Sequence, residues 1–584
     1  MESQLTIGST SHSDFLRILS RFESTLETIS ARVEGVVPAL FGPHGTGTPT
    51  ALYASQSSAS HPLTNPSISQ GSPELMDSAP GCHPQITAIP FSAHQVISWS
   101  GVVKMMPDSV QMILAEYGMN YAITLESARA PLQPDCRLLA RKKPTNFLSQ
   151  LMVSTVKELC DSYFSTFHLT NPILDRSFYQ LHTLSRAIDG NFGNDIESCV
   201  VLVVMALGSL GQKGLAEAGF EHGSWSLGDM DLADSAEDSP TELSGILFFN
   251  ESRKRIGWLI NDNGLQSCQY YLLAGLFYSQ LARPVDSWSM TTKASTCCRM
   301  FWMTMPVQRD TWVADMQSRL FWIALMSEAI LTKELSLPDS GLQEISDQVP
   351  LPRFLKLEQP SFVYVDNVRE EENDSLCHYY FLAQTALRIL LTRTSNCLFF
   401  TNPEERYSLS SIEEELTYQL EQWRNQLPAP LQFDEDNLAP LPESPKDILV
   451  VSWLRARYMS ARYHFGRPLL HRVLSSPEDT TIDDLRRCTE IFHCICEWEP
   501  IVKVISLMRS CMPLRFNICA QLFGQLLIIY CFRCHADGRL QQAVPSQHRE
   551  WCIFALSFLQ DTASCSPSIA KDAEIASLLW SSLT

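Results

Sequence analysis

No cysteine precedes Cys82 in a chain that holds 18 of them. A cysteine-built metal module ahead of that position is therefore excluded, because structural zinc needs four nitrogen or sulfur ligands per ion. Cationic charge is scarce too: 44 Lys and Arg stand against 64 Asp and Glu, a formal net of −20. A field of that sign repels phosphate backbones and anionic membrane surfaces, which bind proteins through cations that displace counterions. DNA contact would then need a local basic module or a partner. Long apolar runs are missing as well. Stretches such as Val200–Leu207 and Leu526–Phe532 fall short of the ~20 residues of a membrane span. Met1–Ser20 shows no basic stretch leading into an apolar one, so no secretory signal is read. These absences predict a soluble intracellular protein that is not held by a membrane, with its cysteines reduced and packed in the core.

Motifs of catalysis are equally thin. There is no Gly-rich phosphate loop, no nucleophile elbow and no His-Glu-x-x-His helix. The acids Glu370, Glu371 and Glu372 sit in a polar run that reads as solvated surface. No enzyme activity, cofactor or metal is expected.

What is present suits helices. The 584 residues, 45% hydrophobic and 10% aromatic, can bury a substantial core over more than one domain at roughly 150 residues each. Phe15, Leu19, Phe22, Leu26, Ile29 and Val33 recur at spacings of 4, 3, 4, 3 and 4, one seam of a helix. Ser13 and Asp14 offer N-cap chemistry, and Gly35 and Pro38 stop it. The seam reads as a dimerisation surface or as a face docking on its own domain. A Gly, Pro, Ser, Thr and His-rich stretch follows from Phe41 and predicts a disordered linker. From Leu148 onward helical spacing recurs: Leu148 to Phe167 before Asn171-Pro172, Leu272 to Leu281 before Pro284, and Leu320 to Glu328 before Pro338. Val200–Leu207 suits a buried strand or a buried helix. No strand-turn-strand series occurs, so the fold class expected is all-α. Glu217–Leu243 is acidic and reads as a solvated loop; Pro428–Asp447 reads as a break before a C-terminal helical set. The divisions are 1–40 for the coiled-coil-like helix, 41–95 for the linker, 96–144 for a small helical segment, 145–475 for the main body and 476–584 for a helical extension.

Four groups invite a chemical reading. Cys531-Phe532-Arg533-Cys534-His535 matches a c-type haem attachment string or a zinc or redox pair, but it ends an apolar helix where cysteine behaves as a small hydrophobe. Cys488, Cys494 and Cys496 with His493 supply the ligand types of a zinc site at spacings that fall on different helix faces. Cys297 and Cys298 are adjacent and cannot easily ligate one metal from a helix. Arg455, Arg457, Arg462, Arg467 and Arg472 alternate with Trp453, Tyr458, Tyr463 and Phe465, which suggests base stacking. In so acidic a chain these arginines suit pairing with acids of neighbouring helices better.

Five segments in order resemble the middle homology region of fungal zinc-cluster transcription factors. They are Tyr163-Phe164 with His168, Asn171-Pro172-Ile173-Leu174-Asp175 and Phe178; then Ser198–Leu210 with its Ala-Leu-Gly; then Gln269–Met300 with Ala282-Arg283-Pro284, Trp288, Ala294 and Arg299. The fourth is Arg319–Pro352 with Phe321-Trp322, Leu335, Pro338 and Leu351-Pro352, and the fifth is Arg457–Leu474 with Tyr463-His464 and Arg467-Pro468. The third segment lacks the residues and the basic-aromatic pair that usually follow the Trp helix, and Ser327-Glu328 stands where the family has Asp-Arg. The resemblance implies a nuclear transcription regulator, possible control of a biosynthetic gene cluster included, in which the domain checks activity and relays small-molecule or partner signals. It implies a homodimer or a heterodimer with a related regulator, contact with the transcription machinery, and DNA contact only indirectly or through a missing N-terminal module. The family begins with six cysteines holding two zinc ions and then a short coiled coil, the place of the Phe15–Val33 seam here. A cofactor or corepressor acting through an intact relative is the alternative, and a helical enzyme of unrecognised type a distant one.

Overall fold

The computed structural model describes residues 87–132, 147–220, 240–303, 311–357, 368–401, 406–435, 437, 440–512 and 514–583. The seam Phe15, Leu19, Phe22, Leu26, Ile29 and Val33, most of the linker and most of the acidic tract 217–243 lie outside them. Among the described residues the architecture is all-α, as the spacing predicts. The helices that matter here are α1 (Asp108–Tyr117), α2 (Tyr121–Ser127), α3 (Val153–Ser165), α4 (Ile196–Glu217), α5 (Pro240–Ile256), α6 (Leu265–Gln280), α7 (Pro284–Met303) and α8 (Trp312–Leu335). They are followed by α9 (Val368–Leu398), α10 (Arg406–Asn425), α11 (Trp453–Ser475), α12 (Ile482–Cys496), α13 (Trp498–Ile505), α14 (Arg515–Cys534), α15 (His548–Thr562) and α16 (Pro567–Leu583). Among the described residues extended pairing is confined to a two-residue ladder, beside which the Ile89 N–H donates to the Phe399 carbonyl at 3.0 Å.

Ala88–Thr401 and Arg406–Thr584 form one compact unit. The divisions drawn at 144 and 475 fall inside it, and so do residues 88–95. Its centre is α4, packed against α3, α5 and α6. Val200–Leu207 is the middle of this 22-residue helix, and every one of its side chains is buried. Burial on all sides removes the polar face that would have revealed the helical period. The Asp195 carboxylate caps the start by accepting the Ser198 N–H at 2.8 Å, satisfying one of the orphan donors of the first turn.

α4 and α14 are each long and apolar enough to cross a membrane, which corrects the view that the apolar runs are far too short. The polar residues flanking each run, such as Ser209 and Gln521, extend the helices without breaking them. In this fold 83% and 94% of the two apolar windows are buried against other helices.

The first helix of the main body differs from its predicted span. α3 starts at Val153, because Met152 takes an extended conformation as its N-cap and is 68% exposed. Leu148 is buried from a separate 3-10 turn, Phe147–Gln150. Asp175, four residues after Asn171, caps the next short helix by accepting the Phe178 N–H at 2.8 Å.

Candidate functional site

The side chains quoted for the resemblance hold one another in place. The Trp288 indole N–H of α7 donates to the Pro338 carbonyl at 3.1 Å, and that of Trp322 on α8 donates to the Pro350 carbonyl at 3.1 Å. Arg299 donates to the Ser340 carbonyl at 2.8 Å. Glu328 is buried, and accepts both the N–H and the hydroxyl of Ser340, at 2.5 and 2.6 Å. Burial raises its carboxyl above the usual range, against the pull of those bonds. Two tryptophans and a carboxylate thus tie the chain after α8 back onto α7 and α8.

Between these helices lies a cavity of about 70 Å³, space for roughly five waters at ~10–15 Å³ each. Four of the five resembling segments reach it: Asn171 and Ile173 from the first, Leu272 and Leu276 from the third, Ile323 and Met326 from the fourth, and Arg457 from the fifth. Tyr380 and Gln384 on α9 add to a polar part of the lining that also includes Thr170, Ser287, Thr291 and Ser327. Helix interfaces of this kind, mostly apolar with a few convergent polar groups, are where small ligands bind.

Cations gather beside it. Arg388 follows Gln384 by four residues on α9, so the two share a helix face. Arg388 is 8% exposed, and its Nε has no hydrogen-bond partner. Burial first, and then the nearby Arg457, pull its guanidinium down to about 10, so it still carries full charge at neutral pH. Burial and Arg388 together hold the Lys333 ammonium of α8 at about 8. His464 on α11 is pushed well below its ordinary value by burial, then by Arg467, Arg388 and Lys333. Arg467 itself is fully buried and donates to the carbonyls of Phe91 and Ser92 at 2.5 and 2.7 Å.

The five arginines of α11 therefore divide. Of the five, and among the described residues, only Arg472 forms an ion pair with an acid of another helix, Asp484 on α12 at 2.5 Å. Arg467 and Arg455 take backbone carbonyls, the latter that of Asn437 at 3.0 Å. Arg462 lies over the Tyr458 ring at 5.7 Å, and Arg457 lines the cavity beside Tyr380. Pairing with neighbouring acids is thus the exception: the acceptors of Arg455 and Arg467 are carbonyls of the loop segments at Asn437 and at Phe91–Ser92. Arg455 and Arg467 are also buried, out of reach of a phosphate backbone.

The cysteine groups do not assemble. Cys531 is buried in α14, Cys534 is exposed, and His535 leaves the helix as its C-cap. Cys494 is buried beside the Met459 carbonyl while its neighbour His493 faces solvent. Cys298 lies 3.7 Å from Cys268 across α6 and α7, and Cys297 is directed toward Asn263 Oδ1 at 3.8 Å. Among the described residues no three His, Cys, Asp or Glu side chains form a metal-binding group.

Two clusters were missed by sequence reasoning. Lys333 and Arg388 look like ordinary helix cations; the hint is that Arg388 interrupts the apolar run Ala-Leu-Arg-Ile-Leu-Leu on the face of Tyr380 and Gln384. His94 Nε2 meets Asp572 Oδ1 at 2.9 Å, and the Tyr121 hydroxyl donates to the same oxygen at 2.5 Å, all three buried. These partners come from the 3-10 turn His94–Ser98, from α2 and from α16. No family model, no curated protein and no solved structure matches the chain.

Proposed function

We propose that the chain is a nuclear transcription regulator of the fungal zinc-cluster type, whose helical body senses a small molecule and relays its binding to a DNA-reading module. The observation that carries this reading is the convergence of four separately recognised segments on one cavity, with their tryptophans and arginines fixing the surrounding chain. Such a pattern fits selection for a shared site better than selection for core packing alone. The regulator would act on a defined gene set, a biosynthetic cluster among the candidates, as a dimer with itself or with a related regulator. Specific DNA contact would come from a module or partner that supplies the zinc cluster, since no cysteine precedes Cys82.

A second reading, a cofactor or corepressor that never touches DNA, is favoured by the net charge of −20 and by the burial of Arg455 and Arg467. One paired experiment tests both. The chain alone should fail to shift specific duplex DNA at physiological salt, and its deletion should change the transcript levels of a defined gene set. A deletion that leaves the transcriptome untouched rejects the regulator reading. Mapping the 5′ end of the transcript separates the two: an upstream six-cysteine cluster favours the first and its absence the second.

A further inference from the structure

Cysteine in a helical core is ordinarily a small hydrophobe with no partner of its own kind. Two helices of this fold bring three thiols together. Cys268 lies near the start of α6, its sulfur 3.7 Å from that of Cys298 and 3.6 Å from the Ala294 carbonyl, both on α7. Cys297 precedes Cys298 in the chain, and its sulfur is directed at Asn263 Oδ1, 3.8 Å away. Asn263 belongs to the turn before α6, where Asn261, Asp262 and Gly264 are exposed. All three thiols are buried, so the group lies just inside that turn. The helices are held close here. Two turns along, the Ser287 hydroxyl donates to the Gly275 carbonyl at 2.8 Å, and a Cβ on Gly275 would stand 3.3 Å from Thr291 Oγ1. Gly275 comes seven residues after Cys268, and Ser287 and Thr291 come seven before Ala294 and Cys298. One antiparallel register therefore sets both contacts. Shape alone would be served by alanine or serine, as it is at the buried Ala294 and Ser295.

We propose that Cys268 of α6 and the Cys297–Cys298 pair of α7 form a modification site for hydrogen peroxide, which closes it to one disulfide between the two helices. Cys297 reacts first. It is the thiol that faces the turn, and the Cys268 thiol holds it below the ordinary thiol value, whereas burial pushes Cys268 well above. Thiolate is the reactive species. The Cys297 thiolate displaces hydroxide from peroxide and becomes a sulfenic acid. The Cys268 sulfur then attacks that sulfur: an S–S bond forms, the S–O bond breaks, and the thiol proton leaves with the hydroxyl as water. Two thiols and one peroxide thus give one disulfide and two waters. Cys298 can take over the link by thiol exchange, closing on Cys268 from 3.7 Å to the bond length of about 2 Å. The link joins two walls of the cavity, since Leu272 is one turn from Cys268 and Thr291 two turns from Cys298. Arg299, which holds the Ser340 carbonyl, follows Cys298 directly. Any regulatory meaning of the oxidation rests on the function proposed above, whereas the disulfide itself does not.

The test treats the full, reduced, folded chain with a few equivalents of hydrogen peroxide. Remaining thiols are blocked with N-ethylmaleimide, and trypsin then separates Cys268 from Cys297 and Cys298 by cutting after Lys293 and Arg299. Mass mapping should find the two peptides linked, lighter than their sum by two hydrogens, and dithiothreitol should release them. Cys268→Ala should abolish the link and leave Cys297 to collect further oxygens, since nothing resolves its sulfenic acid. Cys297→Ser should slow the linking roughly tenfold or more, because the thiol that reacts first is gone. The inference is overturned if peroxide leaves all three thiols free, if Cys268 links outside the group, or if the disulfide forms only in urea. It is equally overturned if Cys268 stays free while Cys297 is oxidised, or if Cys297→Ser links as fast as the parent. The peptide map of the parent decides the matter even if a variant does not fold. A disulfide with an untouched transcriptome on deletion keeps the site and rejects the regulator. An altered transcriptome without a disulfide does the reverse.

Discussion

The Leu159 carbonyl oxygen of α3 lies 1.9 Å from where a Cβ on Gly208 of α4 would stand. The two helices touch backbone to backbone at this point, and only glycine allows it. Gly208 is the glycine of the Ala-Leu-Gly string, so one quoted residue of the resemblance has a steric reason to be what it is.

Gly208→Ala should therefore be among the most damaging single-methyl changes in the molecule. The clashing atom is backbone and cannot rotate away, so the helices must separate. A cost of about 3 kcal/mol is expected, at the upper end of overpacking. Gly257→Ala is the control, since an added Cβ there meets nothing within 4 Å; it should be neutral or stabilise by up to about 1 kcal/mol. Urea midpoints for the two variants check both, and equal midpoints would refute the contact.

Histidines of opposite sign set the pH response. Burial alone would lower His94, but Asp572 outweighs it and raises the imidazole above 6.5. Its stabilising effect is full below pH 6.5 and fades as pH climbs through the raised value. His168, His378 and His464 are pushed well below 6.5, first by burial and then by neighbouring cations. The unfolded chain takes up protons at these three that the folded chain refuses, so stability falls as pH drops below 6.5, by up to about 1.4 kcal/mol per unit for each. Melting curves from pH 5 to 8 should fall on the acid side for the parent. His94→Gln should lose stability near neutrality and keep that acid slope, whereas His464→Gln should make the slope shallower. An unchanged slope for His464→Gln would show that this imidazole is protonated in the fold.

The two thiols of the Cys-x-x-Cys-His string should behave as strangers. Cys531 is fully buried, and burial pushes its thiol far up, whereas Cys534 is exposed. Thiolate is the reactive species. Brief iodoacetamide treatment of the folded protein near pH 8 should label Cys534 well ahead of Cys531, as peptide mass mapping would show. Equal labelling of both would mean that the end of α14 opens.

How much of this was legible depends on where the partners sit along the chain. The helical class follows from spacings within single segments, so Leu272 to Gln280 and Leu320 to Glu328 fall inside helices of the predicted kind, with Leu281 as the C-cap of the first. Val200–Leu207 stayed ambiguous because a helix buried on every side shows no period. The predicted helical stretch Leu148 to Phe167 takes in Met152, whose apolar side chain fits the pattern, whereas its backbone is extended one residue before the helix. The cation cluster left only one trace in the sequence, the interruption of an apolar run by Arg388. Lys333, Arg388 and Arg457 belong to three helices, and the burial of Arg388 between helices is a tertiary property. His94 and Asp572, 478 residues apart, show the same limit. The five arginines of α11 were visible as a group, but their acceptors were not, because carbonyls such as that of Phe91 carry no sequence signal.

The seam at Phe15, Leu19, Phe22, Leu26, Ile29 and Val33 lies outside the described residues, so solution measurements must decide its role. Its spacing of 4, 3, 4, 3 and 4 is that of a coiled-coil stripe, and it covers under three heptads, so as an isolated helix it would be marginal. A partner helix is what would make it stable, which is why the seam bears on dimerisation at all. Proline in the middle of a helix removes a backbone hydrogen bond and clashes with the preceding turn, at a cost of about 3 kcal/mol. That exceeds what so short a coil can spare, so Leu26→Pro should move the protein toward monomer. The thermal transition of the 88–584 unit should survive, because none of its packing involves the seam if the helix serves a second chain. Sedimentation velocity and differential scanning on the same sample separate the outcomes. A monomer with an unaltered transition identifies a dimerisation helix; an unchanged oligomer with a lowered transition means that the seam docks on its own chain.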